Sequence, residues 1–229
     1  MTPVPQPVPE ETEIEVVLVD DQDLFREGVR TIVDAQPGLR VVGTAGDGHE
    51  ALEVVDRLAP HVVLMDVRMP GMDGVEATRR LFSPERVAAR ATPLQVVVLT
   101  TFDLDDRAAT AIRHGAAGFL LKDVTPARLA HAIRTVHAGN AVLGPQELTA
   151  LMTGTFRERT PAPAAYDDLT EREQAVFDGV ARGLSNAEIA AEVFAGESTV
   201  KTHVGAILRK LGLRDRVQVV VFAHRHGLV

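Results

Sequence analysis

Six residues able to do polar chemistry each stand at the end of a short apolar run. Asp20 and Asp21 close "IEVVLVDD", Asp66 closes "HVVLMD", Thr100 and Thr101 close "QVVVLTT", and Lys122 closes "GFLLK". If these runs are neighbouring parallel strands, their carboxyl ends share one edge, where open α/β sheets bind ligands. Three carboxylates, a hydroxyl and an ammonium would then meet. Crowded carboxylates raise one another's pKa unless a cation joins them. Oxygen ligands without Cys or His fit Mg2+, which tolerates one or two carboxylates and keeps several waters. Lys122 and Thr100 would remain to hold anionic oxygens. The set suits phosphoryl transfer with Asp66 as covalent acceptor. A lone strand-end Asp is more often a cap or turn former, so convergence carries the reading.

The elements that must deliver those residues follow from the hydrophobic pattern. The runs at 14–20, 40–45, 61–66, 95–101 and 118–122 are rich in Val, Ile and Leu and do not alternate, as strands of a parallel sheet covered on both faces do not. Between and after them lie "DLFREGVRTIVDA", "GHEALEVVDRLA", "GVEATRRLF", "LDDRAATAIRHG" and "TPARLAHAIRTVHAG", with apolar residues at i, i+3 and i+4. Five such units predict a doubly wound α/β domain with a five-stranded parallel sheet over residues 14–138. Asp23 reads as the N-cap of the first helix. The stretch "SPERVAARATPL" before the fourth strand is long for a loop and carries two prolines.

Beyond the sheet, 139–166 reads as a linker holding a short helix at 145–158 and a Pro/Ala-rich end. Residues 167–229 are helical throughout, with a capping box at Thr170 and Glu173 and glycines 183, 196, 212 and 227 at helix ends. This predicts a second, all-α domain of four helices. The 229 residues include no Cys, so disulfides and thiolate metal sites are excluded. The proline-rich start, 1–13, reads as a disordered tail without signal-peptide character, and no apolar run is long enough for a membrane span. A cytoplasmic protein is expected. The net charge is −8, yet from Ser198 onward six bases face one acid. A local basic face is therefore compatible with nucleic acid.

At this point the chain resembles a known family. "VVLVDD", "VVLMDVRMPGMDG", "VVVLTTFD" and "GAAGFLLKD" are similar to the receiver domain of two-component response regulators, which is flavodoxin-like. "LTEREQAVFDGVARGLSNAEIAAEVFAGESTVKTHVGAILRKLGLRDRVQVV" is similar to the LuxR/NarL helix-turn-helix. The resemblance implies a transcription regulator and not an enzyme, with Asp66 phosphorylated by a histidine kinase. It implies Mg2+ bound by Asp21, Asp66 and the backbone carbonyl of Arg68, with Asp20 acting through water. Lys122 would pair with the phosphoryl group, Thr100 would move to it, and Phe119 would change position with Thr100. A Mg2+-dependent phosphohydrolase is disfavoured, because such enzymes often carry an acid two residues after the nucleophile and Arg68 stands there. An interaction module that never turns over phosphate is disfavoured by the presence of Asp20, Asp21 and Lys122.

In the helical half, 3.6-residue periodicity gives "STVKTHVGAILRK" a buried stripe of Val200, Val204, Ile207, Leu208 and Leu211. Ser198, Lys201, Thr202, Gly205 and Arg209 share the opposite face. By resemblance this helix enters the major groove of double-stranded DNA at a near-palindromic site. Lys201 and Thr202 would read bases, and Thr199, His203, Arg209 and Lys210 would lie near phosphates. Gly205 stands where the family commonly carries a larger polar or basic side chain. The last helix, with Val217, Val220, Val221 and His224, would form a homodimer on phosphorylation. An acidic receiver resting on the basic recognition face would keep the unphosphorylated form off DNA.

Overall fold

The computed structural model describes residues 13–101, 106–140, 142 and 161–229. The expected tail, apart from Glu13, and the expected helix at 145–158 lie outside the described residues.

Val, Ile and Leu on both sides of each strand demand a sheet covered on both faces, and the chain builds one. Strands β1 (Ile14–Val19), β2 (Leu39–Ala45), β3 (Val62–Asp66), β4 (Gln95–Thr100) and β5 (Gly118–Leu121) form an all-parallel sheet in the order β2-β1-β3-β4-β5. The order reverses beside β1 and β3, the strands that end in Asp20 and Asp66. Alternate residues feed two cores. Val17, Val19, Val63, Met65, Val96 and Val98 meet α2 (Gly48–Leu58), α3 (Gly74–Leu81) and α5 (Asp106–Arg113). Val16, Leu18, Val62, Leu64, Val97 and Leu99 meet α1 (Asp23–Asp34) and α6 (Pro126–His137).

Two local readings are corrected. The N-cap of α1 is Gln22, and Asp23 is its first residue, paired with Arg26. The stretch between α3 and β4 is partly a helix, α4 (Pro84–Ala89), capped by the Ser83 hydroxyl with Pro84 in its first turn.

The helical domain comprises α7 (Glu171–Ala181), α8 (Asn186–Glu192), α9 (Glu197–Leu211) and α10 (Arg216–His226). The capping box at Thr170 and Glu173 is present, and Ser185 with Glu188 makes a second. Phe177, Ile189, Val200, Ile207 and Val220 are buried in its core, where Tyr166 packs edge-on against Phe177. The buried cluster on the α2–α3–α5 side of the sheet continues into this core, so the two halves are packed against each other.

Candidate functional site

β3 delivers Asp66 and β1 delivers Asp20, each at the carboxyl end of a strand buried on both faces. Asp20 is 2% exposed and Asp66 4%, while Asp21 is exposed. One carboxylate oxygen from each of the three lies within 4.8 Å of the others. Lys122, one residue past β5, reaches across the edge. Its Nζ stands 2.6 Å from Asp20 Oδ2 and 2.9 Å from Asp66 Oδ2. The Asp66 Oδ1 accepts the Arg68 backbone N–H at 3.2 Å, and Asp20 Oδ1 accepts that of Gln22 at 2.9 Å. Arg26 donates to the Asp20 carbonyl oxygen.

Burial raises the Asp66 pKa above its ordinary value, against the pull of Lys122 and the Arg68 N–H, and nearby Asp20 adds to the rise. Burial works against the Lys122 charge, yet its hydrogen bonds to Asp20 and Asp66 outweigh this and raise its pKa. Two of the three acids thus share one ammonium, and Asp21 adds a third carboxylate beside them. The surplus negative charge and oxygen-only donor set fit a hard divalent cation such as Mg2+.

The loop after Asp66 is fixed by close packing. A Cβ at Gly74 would overlap the Asp66 carbonyl oxygen, so position 74 admits no side chain, and the loop carrying Arg68 folds back tightly. Thr100 is buried at the end of β4, and its carbonyl accepts the Lys122 N–H at 2.7 Å. Phe119 pairs with Val98 and Leu121 with Thr100 in the parallel register. Thr100 and Phe119 therefore project from the same sheet face, diagonally adjacent. Phe119 is half-buried against the core that includes α5.

At the other end of the molecule, α9 presents the polar face that its periodicity predicts. Ser198, Thr199, Lys201, Thr202, Gly205, Arg209 and Lys210 are exposed and His203 is half-buried, while Val200 and Ile207 are fully buried. The N-cap Gly196 gives no side-chain hydrogen bond. Lys210 does not share the open face's freedom. Its Nζ lies 2.7 Å from Glu173 Oε2 and 3.0 Å from the Asp168 carbonyl. Lys210 holds the Glu173 pKa down, from 4.5 to about 2, helped by the Thr170 N–H. Such a depressed carboxylate stabilises the fold fully above pH 4.5, and the contribution fades as pH falls toward 2. Glu173→Gln should therefore unfold at lower denaturant than wild type at pH 7, with the gap narrowing below pH 4.5. A gap independent of pH would mean the pair does not supply that stability.

The receiver does not cover this face, contrary to expectation; it rests on α10. Arg214, just before α10, stacks on Phe82 with its guanidinium carbon 3.5 Å from the ring centroid. Its Nη2 donates to the Gly115 carbonyl at 3.0 Å, and Gln218 Nε2 donates to that of Ile112 at 3.4 Å. Val217, Val220 and Val221 are buried within the single chain and His224 is half-buried. The expected dimer helix thus offers no open apolar stripe in this arrangement. The α7, α9 and receiver surfaces already occupy α10, a long-range packing that periodicity cannot reveal. Sequence reading also passed over Phe194, 95% exposed with φ +49° in the turn between α8 and α9. A non-glycine residue held in that region just before α9 is visible only in the backbone.

The acid edge lies in one unit and the exposed polar helix face in another, and comparison with known proteins recognises both units. The response regulator receiver domain family matches residues 16–134, and the luxR family of bacterial regulatory proteins matches 167–223. The chain belongs to the two-component response regulators with a LuxR-type DNA-binding domain, which regulate transcription. It is 42% identical over 219 residues to the uncharacterized transcriptional regulatory protein YxjL of Bacillus subtilis, covering 94% of this chain and 97% of that one. It is 39% identical over 223 residues to the transcriptional regulatory protein LnrK of the same organism, covering 94% and 98%. Among solved structures, the receiver domain of the response regulator NarL from Mycobacterium tuberculosis superposes with a TM-score of 0.51 at 38% identity. That match covers 56% of this chain and 98% of the other. Among the described residues no helix is long and apolar enough to cross a membrane.

Proposed function

We propose that Asp66 accepts a phosphoryl group from a histidine kinase and that the modification governs dimerisation and DNA binding. The receiver would span 14–138, the linker 139–166 and the DNA-binding domain 167–229, all acting in the cytoplasm without catalytic turnover of a substrate. The observation that carries this reading is the Lys122 ammonium, 2.9 Å from Asp66 and 2.6 Å from Asp20 at the edge where the strand order reverses. An Asp66 oxygen forms its bond to phosphorus as the bond to the kinase imidazole breaks. Asp20, Asp21, Asp66 and the Arg68 carbonyl would hold Mg2+, whose charge offsets that of the crowded oxygens. Lys122, already poised on Asp66, is placed to pair with a phosphoryl oxygen. Thr100 and Phe119, on one sheet face beside α5, would relay the change.

The distal end of α5 is held by α10 through Ile112 and Gly115. Movement of α5 would loosen that contact and uncover the receiver side of α10, and Val217, Val220, Val221 and His224 would repack against a second copy. Ser198, Thr199, Lys201, Thr202, His203 and Arg209 would then face two half-sites about one helical turn apart. Lys210, engaged by Glu173, would act at phosphates only by exchanging that partner. The test is Thr100→Ala with acetyl phosphate and Mg2+, read by intact mass and by fluorescence anisotropy on a selected DNA site. The variant should take up one phosphoryl group as wild type does, yet lose the phosphorylation-dependent gain in affinity, roughly tenfold for a coupling of about 1.4 kcal/mol. A gain equal to that of wild type would leave Thr100 as a strand residue only.

A further inference from the structure

The seam between the two halves holds a positively charged cleft whose polar atoms are incompletely satisfied. It lies at the end of the receiver remote from Asp66, where α3, α4 and the start of β4 meet the residue preceding α10. Its volume is about 230 Å3, and Phe82, Val87, Arg90, Thr92, Leu94 and Arg214 line it. Arg90 uses Nη1 on the Leu81 carbonyl at 2.7 Å, and Arg214 uses Nη2 on that of Gly115. The other terminal nitrogens, Arg90 Nη2 and Arg214 Nη1, are buried without a hydrogen-bond partner. Both groups have their pKa lowered, by burial first, and each guanidinium stands within electrostatic reach of the other.

No carboxylate neutralises this pair fully. Asp56 lies within electrostatic reach of Arg90 but is paired with Arg86. Asp215 is beside Arg214, and it spends one oxygen capping α10 through the Gln218 N–H while its other oxygen is buried and unpartnered. Burial also raises the Asp215 pKa, which favours its neutral form. A buried guanidinium with spare N–H groups is costly, and a second one nearby adds repulsion. What relieves both at once is an anion with several acceptor oxygens, and the planar fork of arginine matches phosphate geometry.

We infer that the cleft between Arg90 and Arg214 binds a compact phosphate-class oxyanion, either inorganic phosphate or the phosphate end of a small metabolite. The Arg90 guanidinium on the receiver and that of Arg214 on the DNA-binding domain hold it from two sides, each turning its now buried terminal nitrogen outward to donate, and Thr92 lines the same wall. The site exists only while the halves are docked. Its ligand therefore favours the docked arrangement and opposes release of α10, by an amount set by its differential affinity for the two arrangements. This consequence rests on the docked form being the inactive one; binding itself does not.

The experiment titrates full-length protein with inorganic phosphate in EDTA at constant ionic strength, made up with KCl, by isothermal titration calorimetry and thermal unfolding. A second arm replaces phosphate with glycerol 3-phosphate; saturable binding of either supports the site, and the tighter ligand names the source. One ligand per chain and a rise in Tm are expected, with affinity weakened roughly tenfold or more in Arg90→Gln and in Arg214→Gln. Arg90→Gln changes only the receiver side and keeps the test valid if Arg214→Gln disturbs docking. Lys201→Ala and Arg209→Ala should bind as wild type does. Absence of saturable binding, or binding that survives Arg90→Gln and is lost in Lys201→Ala, would overturn the inference. If phosphate binds as stated but leaves dimerisation unchanged, the site stands and the inactive role of the docked form fails.

Discussion

Asp66→Asn is expected to take up no phosphoryl group from acetyl phosphate, while folding as well as the wild type. The loss should be roughly a hundredfold or more in adduct, because an amide offers no carboxylate oxygen to form the acyl phosphate. Asp66 is the acid best placed to react. It ends the central β3, one oxygen is held by the Arg68 N–H, and the other faces Lys122 at 2.9 Å. Asp20 has one oxygen on the Gln22 N–H and the other on Lys122, while Asp21 is open to solvent. Stability should not suffer, because the substitution removes one of the acids that share a single ammonium and leaves the Asp20–Lys122 pair intact. Intact mass with matched unfolding curves separates lost chemistry from lost fold. An adduct equal to that of wild type would move the acceptor to another residue.

The second large effect is expected at the seam. Full-length Arg214→Ala/Gln218→Ala should dimerise without a phosphodonor at concentrations where wild type is monomeric. The double substitution removes a guanidinium stacked on Phe82 and the hydrogen bonds to Gly115 and Ile112. A cation–π contact and hydrogen bonds of this kind are each worth about 1 kcal/mol, so the open arrangement should gain roughly tenfold to a hundredfold in population. Sedimentation equilibrium reads this without DNA, so any contribution of Arg214 to phosphate contacts does not enter. If the double variant stays monomeric where wild type does, the docked seam does not restrain dimerisation.

Much of this molecule is legible in its sequence because much of it is locally determined. The strand runs, written in Val, Ile and Leu, locate all five strands to within a residue at each end, and the acids that follow them converge once the runs are parallel. The polar face of α9 emerges from 3.6-residue spacing alone. The misses have two origins. For α4 the signal was present, since Ser83 followed by Pro84 is a helix start, and the second proline of the stretch drew the reading toward a loop. For Lys210, Arg214 and Gln218 there was no local signal. Their partners Glu173, Gly115 and Ile112 are 37, 99 and 106 residues away, and such pairings follow from tertiary packing only. The docking of α10 on the receiver belongs to the same class.

The buried side of α5 is faced largely by methyl groups, Ala108, Ala109 and Ala111, with Ile112 the one large side chain among them. Helices with bulky buried residues are geared to their neighbours, and moving one means climbing out of a groove and dropping into the next. An alanine face has shallow teeth. A helix so built can glide by a fraction of an ångström over the sheet without unseating the core, as a smooth bearing turns where a toothed one would jam. On the relay proposed above, the size of three small residues would set how freely the acid edge and α10 feel each other. Enlarging any of them should act as a brake, leaving both ends of the molecule chemically whole while the traffic between them slows.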